Sequence, residues 1–352
     1  FVNNFDGYTV IKDSQEYALS FGGELTDETL QQIVSDYQQM EADGMEEELE
    51  KTDWQIVNSW LGTLYPELRD TSNYKTMISY VDPDKLTGFY ERRQQVLDEF
   101  LEISGQVGAE KEFLHQMERK VEKPFHYEWV EGWSTLLGSM VADLGVVMAL
   151  FLGIVLSSLF AGEWHDNTST LVLTTRNGWG KIALAKILTG FAFTVELFAL
   201  LAVSSIISQL FFMGTAGWDM PIQNIKLIAV APMNMLQAEI YEYAFVLLGA
   251  IGFAGIVMFI SAAVKNNVLT LLLSLAVVYG PMMIAEYLPY EMQKALDLIP
   301  LVGSSTDIFR TNTFRIFGKL IWSPYLLITI PVLIGILCMP FAIKSWSRRM
   351  KA

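Results

Sequence analysis

The amino-acid sequence predicts an all-α membrane protein, a helical transmembrane bundle joined to a mainly α-helical acidic domain. Charge is partitioned along the chain: residues 1–132 hold 11 Lys+Arg against 28 Asp+Glu, a net of −17, whereas residues 133–352 hold 13 against 11, a net of +2. The second part also contains five apolar runs at about 135–160, 182–212, 241–264, 268–288 and 321–343. Each is long enough for the roughly 20 helical residues that cross a hydrocarbon core of about 30 Å. Helix is the state such runs must take, because no water is available there to satisfy backbone groups. The break in charge near Gly132 separates an acidic domain, 1–132, from a transmembrane domain, 133–352.

In the acidic domain a short strand is expected at Tyr8–Ile11. Residues 26–50 and 52–65 read as helices, with Leu30, Ile33, Val34, Tyr37 and Met40 at i, i+3, i+4 spacing on a polar background. Asp82-Pro83 has the form of a helix start, an N-cap acid before a first-turn proline. The helix it predicts runs through Phe89, Val96, Leu97, Phe100, Leu101 and Ile103. Residues 109–131 read as a further helix, interrupted at Pro124, that leads into the first span.

Several function classes are disfavoured. An acidic surface does not attract nucleic acid, whose phosphates need a basic face. The single cysteine, Cys338, allows no disulfide within the chain. His115 and His126 stand alone, without metal-ligand spacing or a paired nucleophile. The run Glu46-Glu47-Glu48 reads as a solvated face, with a site for cationic peptides as the sharper alternative.

Orientation follows from where basic residues collect. Arg176, Lys181 and Lys186 lie at the 161–181 connection, Lys265 in the next short turn, and Lys344, Arg348, Arg349 and Lys351 in the tail. These all fall on one side of the alternation, which is therefore expected to be cytoplasmic. The other connections, 213–240 and 289–320, balance acids against bases and carry Trp218, Tyr287, Tyr290 and Trp322 near the interfaces. The C-terminus is expected inside and residues 1–132 outside. Five spans with an outside domain imply an additional helix before Phe1, six in all, with a removed signal peptide as the alternative.

The most informative stretch runs from Phe160 to Lys186, FAGEWHDNTSTLVLTTRNGWGKIALAK. It resembles the loop between the second and third helices of permease subunits in type-2 exporter-class ABC transporters. In that family an acid ends the span, a Gly-Thr pair and a Leu-rich turn follow, and a lysine opens the next helix. Glu163, Thr168, Leu171, Leu173, Thr174 and Lys186 stand at the matching positions, with Asn167 at the usual glycine and Arg176 where proline is frequent. The resemblance implies that this loop docks into an ATPase subunit and transmits its closure to the spans, with Arg176 and Lys181 meeting the partner or lipid phosphates. It further implies a second permease subunit, identical or not, in a bacterial cytoplasmic membrane. ATP and Mg would sit on the partner ATPase, since no G-x-x-x-x-G-K-S/T phosphate loop occurs in this chain. The chain itself is then no enzyme, and an amphiphilic cargo such as a peptide, peptide antibiotic or lipid would leave by alternating access.

Ionisable groups inside apolar runs are costly and mark paths or interfaces. Asp143 lies in the first span, and Glu196 lies near the middle of the second, on a stripe with Thr189, Ala192, Ala199 and Val203. A transport path, a helix seam, or a protonated carboxyl bonded to a neighbouring helix would each account for them. Gly249, Gly252 and Gly255 favour close helix packing. Between the last spans, Leu288-Pro289, Ile299-Pro300 and the run Ile308–Ile316 suggest short helices. A non-transporting sensor, whose outer domain binds a ligand and signals to a cytoplasmic partner, is the alternative function. An intramembrane enzyme would have to rely on His165 beside Glu163.

Overall fold

The computed structural model describes residues 22–45, 49, 54–70, 75–166, 180–303, 309 and 312–348. The expectations at Tyr8–Ile11 and Glu46–Glu48 lie outside them. The chain is mostly helical and divides into two compact units, Phe1–Thr135 with Ser208–Glu239, and Leu136–Ile207 with Ile240–Ala352.

In the first unit, helix α1 (Asp27–Ala42) starts where Thr26 Oγ1 accepts the Thr29 N–H at 3.2 Å, with Asp27 and Glu28 in its first turn. Helix α2 (Gln55–Leu64) buries Val57, Trp60, Leu61 and Leu64. These join Leu30, Ile33 and Val34 in one apolar core with Met77, Ile78, Leu86, Phe89 and Phe125.

The helix start at Asp82-Pro83 opens only a 3-10 turn, Pro83–Lys85, in which Asp82 accepts the Asp84 N–H at 3.2 Å. Helix α3 (Phe89–Ile103) begins after Gly88, whose φ of +71° interrupts helical continuity. Its first N–H groups are capped from a distance: the Asp27 carboxylate accepts Gly88 N–H at 2.7 Å and Phe89 N–H at 2.9 Å. A cap supplied by α1 leaves no local signature around residue 88.

The 109–131 helix is likewise divided. Helix α4 (Ala109–Glu118) ends well before Pro124, and a strand follows. Strand β1 (Gly23–Leu25) pairs antiparallel with β2 (Phe125–Tyr127). Between them sits the Tyr90 hydroxyl, donating to Leu25 O at 2.8 Å and accepting Phe125 N–H at 2.6 Å. Burial pushes the Tyr90 phenol up to about 12.

The segment Ser208–Glu239 completes this unit, and polar ties hold it there. Arg93 is fully buried, donating from Nε to Leu227 O (2.6 Å), from Nη2 to Ala229 O (3.2 Å) and from Nη1 to Glu118 Oε1 (2.6 Å). Lys123 Nζ reaches the same Glu118 oxygen at 2.6 Å. Trp60 Nε1 donates to Asn224 O at 2.9 Å, Trp129 Nε1 to Met213 O at 3.1 Å, and Trp133 Nε1 to Ala216 O at 3.0 Å. Asn224 answers with a bond to His126 O at 2.8 Å. At Gly217, with φ +78°, a Cβ would lie 2.3 Å from Trp129 O, so only glycine fits. Buried backbone carbonyls need donors, and side chains from α2, α3 and the β2 region supply them.

Among the described residues, five helices are long and apolar enough to cross a membrane: Glu131–Trp164, α6 (Lys181–Met213), α7 (Met235–Ala263), Asn267–Tyr287 and Ser323–Ser347. The first contains a π-turn at Leu136–Met140 before α5 (Val141–His165). The fourth contains α8 (Asn267–Ile284). The first span and α7 are the more buried of the apolar helices, 56% and 61% over their most apolar stretches, against 17% for α6. A Cβ at Gly252 would stand 2.3 Å from Pro331 O, and one at Gly255 would stand 2.6 Å from Gly335 Cα. Backbone therefore meets backbone where α7 crosses α10 (Ser323–Arg348), while Gly249 packs on Leu301.

Among its described residues the 289–320 connection holds one short helix, α9 (Tyr290–Leu296), and residues 313–316 are not helical. Strands β3 (Thr313–Ile316) and β4 (Lys319–Trp322) form a hairpin instead. Its turn residues, Phe317 and Gly318, both take positive φ (49° and 79°), the geometry that matches strand twist in two-residue hairpins. Ile308 lies outside the described residues.

Candidate functional site

The loop expected to couple to a partner has described roots, and these meet in a compact cluster within the second unit. Glu163, in the last turn of α5, and Lys186, in the second turn of α6, form an ion pair at 2.6 Å with both side chains mostly buried. Lys186 Nζ also donates to Leu159 O, so the ammonium closes the gap between the two helices on either side of the loop.

Aromatic rings wall the pair. Lys186 Nζ lies 5.3 Å from the Phe160 ring centre and 5.6 Å from that of Trp346, which is fully buried. Trp346 stands edge-on to Trp164 at 6.0 Å, and Lys265 Nζ lies 4.5 Å above the Trp164 ring. Four elements thus converge: the ends of α5 and α10, the start of α6, and the turn between α7 and α8. Ser261 locks the same end, accepting Phe160 and Ala161 N–H at 3.0 and 3.1 Å while donating to Ser157 O at 2.7 Å. Ser345 adds a bond to Ala262 O at 3.2 Å. Removal of water strengthens the ion pair and the ring contacts together.

Of the residues singled out in the sequence, the structure brings Glu163 and Lys186 together. Thr168, Leu171, Leu173, Thr174 and Arg176 lie outside the described residues. Asp143 and Glu196 are both exposed on the surface of their helices, and Thr189, Ala192, Ala199 and Val203 share that exposed stripe with Glu196. Sequence reasoning missed Phe160, Trp164, Trp346, Lys265 and Ser261. The pattern that marked Glu163 could have drawn attention to the flanking aromatics, but Trp346 lies over 150 positions along the chain. Among the described residues no group of three or more His, Cys, Asp or Glu has the arrangement to hold a metal ion.

Comparison of the chain with protein-family models, with curated proteins and with solved structures finds no match to any of them.

Proposed function

We propose that this chain is the membrane-spanning permease subunit of an ATP-driven exporter of the ABC type-2 class. The observation that carries the reading is the 160–186 loop, whose sequence pattern resembles the coupling loop of that class and whose two roots are tied by the Glu163–Lys186 pair. A loop that relays force needs a stiff base. If its roots could part, a push on the loop would be absorbed locally; tied at 2.6 Å in an aromatic cage, they move α5 and α6 as one.

In this reading a second permease subunit and a pair of ATPase subunits complete the machine in a bacterial cytoplasmic membrane. The acidic unit faces outward and the C-terminus lies in the cytoplasm, as the distribution of Lys and Arg favours. ATP and Mg belong to the ATPase. Thr168, Leu171, Leu173, Thr174 and Arg176 contact it, and Asp143 and Glu196 line the substrate path or the seam with the second subunit, where their carboxyls escape lipid. The cargo is amphiphilic.

Co-purification from native membranes tests this directly. An ATPase is expected to accompany the chain, with a turnover that falls when Glu163→Gln loosens the loop base. A chain that purifies without any nucleotide-hydrolysing partner sinks the proposal and favours a sensor.

A further inference from the structure

The first unit contains a cleft that the proposed transport cycle does not use. It measures about 460 Å³ and lies between the 120–126 segment and the 219–237 segment. That volume falls within the range of about 300–1,000 Å³ typical of ligand pockets. Both walls belong to the same compact unit.

Its surfaces are of two kinds. Val121, Phe125, Met220 and Met233 give an apolar floor, and Pro124, Pro221 and Pro232 give stiff apolar edges. Lys120, Glu122, His126 and Asp219 are exposed around it, and the side chains of Lys120, Glu122 and Asp219 have no ion-pair partner among the described residues. Gln223 is fully buried; its Nε2 donates to Ala229 O and Ala231 O at 3.0 and 2.8 Å, while Oε1 has no hydrogen bond among the described residues.

An anion is a poor occupant. The N-terminus of α7 opens onto this cleft, but its N–H groups are already taken. Met235 N–H goes to Met220 O and Leu236 N–H to Trp218 O, both at 2.9 Å, and Gln237 N–H to Asn234 Oδ1 at 2.8 Å. The charges favour a cation, with two carboxylates against one ammonium at the cleft. The unit adds a wider field: residues 1–135 carry 11 bases and 28 acids, and 208–239 adds Lys226 against Asp219 and Glu239, for a net of −18. Such a field raises the local concentration of cationic ligands and speeds their capture.

We propose that this cleft binds a cationic amphiphilic peptide segment. An apolar side chain seats on the Met220, Met233 and Phe125 floor, a basic group meets Glu122 and Asp219, and the peptide amides bond to Asn234, Gln237 and the free Gln223 acceptor. One wall of the cleft is the connection between α6 and α7, so an occupied cleft adds to the bonds that hold this connection in place. The site stands whether or not the chain moves a substrate.

The test uses the full chain in detergent and a fluorescent peptide of alternating lysine and leucine, followed by anisotropy. The peptide is expected to bind, to raise the melting temperature, and to protect the 214–234 connection from protease. Two variants should each weaken binding about tenfold or more while the free protein melts as before: the double charge reversal E122K/D219K, and M233W, which fills the cleft without touching its charge. Peptides of lysine with serine, or of glutamate with leucine, should bind at least about tenfold more weakly. Unchanged binding to M233W means that the acidic surface at large is the ligand's target, and overturns the proposal. So does equal binding of the glutamate peptide, or no binding of the lysine–leucine peptide at all.

Discussion

The two units of this chain solve the same problem, holding distant segments together, by different chemistry. The acidic unit secures its late-arriving segment, Ser208–Glu239, with donors that reach from side chain to backbone: a buried guanidinium, tryptophan N–H groups and one asparagine. The bundle unit works by removal. Where α7 meets α10, glycines at 252, 255 and 335 take side chains out of the way, and backbones touch. The difference follows from the supply of polar groups. An irregular connection leaves carbonyls unpaired and must be given donors. Helices satisfy their own backbones, so close approach and an occasional hydroxyl such as Ser261 suffice.

Changes aimed at each mode should separate them. The largest effect is expected from Arg93→Met, which leaves the buried Glu118 with only Lys123 among the described residues and strips donors from Leu227 and Ala229. Breaking a buried pair from one side costs about 3–5 kcal/mol. Protease should cut the 214–234 connection first, before any helix of the bundle. Cleavage elsewhere would show that the clamp does not hold this segment.

Gly252→Ala should come next, because the added methyl has nowhere to go against Pro331 O and the helices must separate. Overpacking of this kind costs roughly 1–3 kcal/mol. The bundle should lose thermal stability in detergent while binding at the acidic unit persists. A variant as stable as the parent would mean that the α7–α10 crossing is looser than drawn.

Glu163→Gln weakens a largely buried ion pair, a loss of about 1.5–3 kcal/mol for hydrogen bonds to charged groups. Lys186→Gln should do the same, and the double variant should cost less than the sum, as groups that act on each other require. Strict additivity would show that the two side chains act independently.

The smallest effect concerns Tyr90. Its folded pKa is raised by burial to about 12, above the ordinary value of 10.0, so the neutral phenol stabilises the fold. That stability is present below pH 10 and is lost as pH rises through 12. Tyr90→Phe should lower stability at neutral pH by about 1 kcal/mol through the lost strand clip, and should flatten the alkaline decline. An unchanged alkaline decline in the variant would assign it to another group, Tyr65 being the first to examine, since burial raises it likewise to about 12.

The sequence by itself determined where the long apolar helices run, because hydrocarbon leaves a twenty-residue apolar segment no other state. It also determined the acidic character of residues 1–132 and the amphipathic faces of α1 and α3, since these are local periodicities. Glu163 and Lys186 were legible as loop roots, but their direct pairing was not. The tertiary structure decided the rest. It gave α3 its cap from Asp27, placed β2 beside β1 rather than in a helix, and turned 313–322 into a hairpin. It also joined Ser208–Glu239 to the acidic unit and set Trp346 against Lys186. In most of these cases the partner is a backbone carbonyl or N–H group, or a ring far along the chain. Every residue carries the same backbone groups, so no residue type announces which of them will be met; only the closed fold selects the pairs.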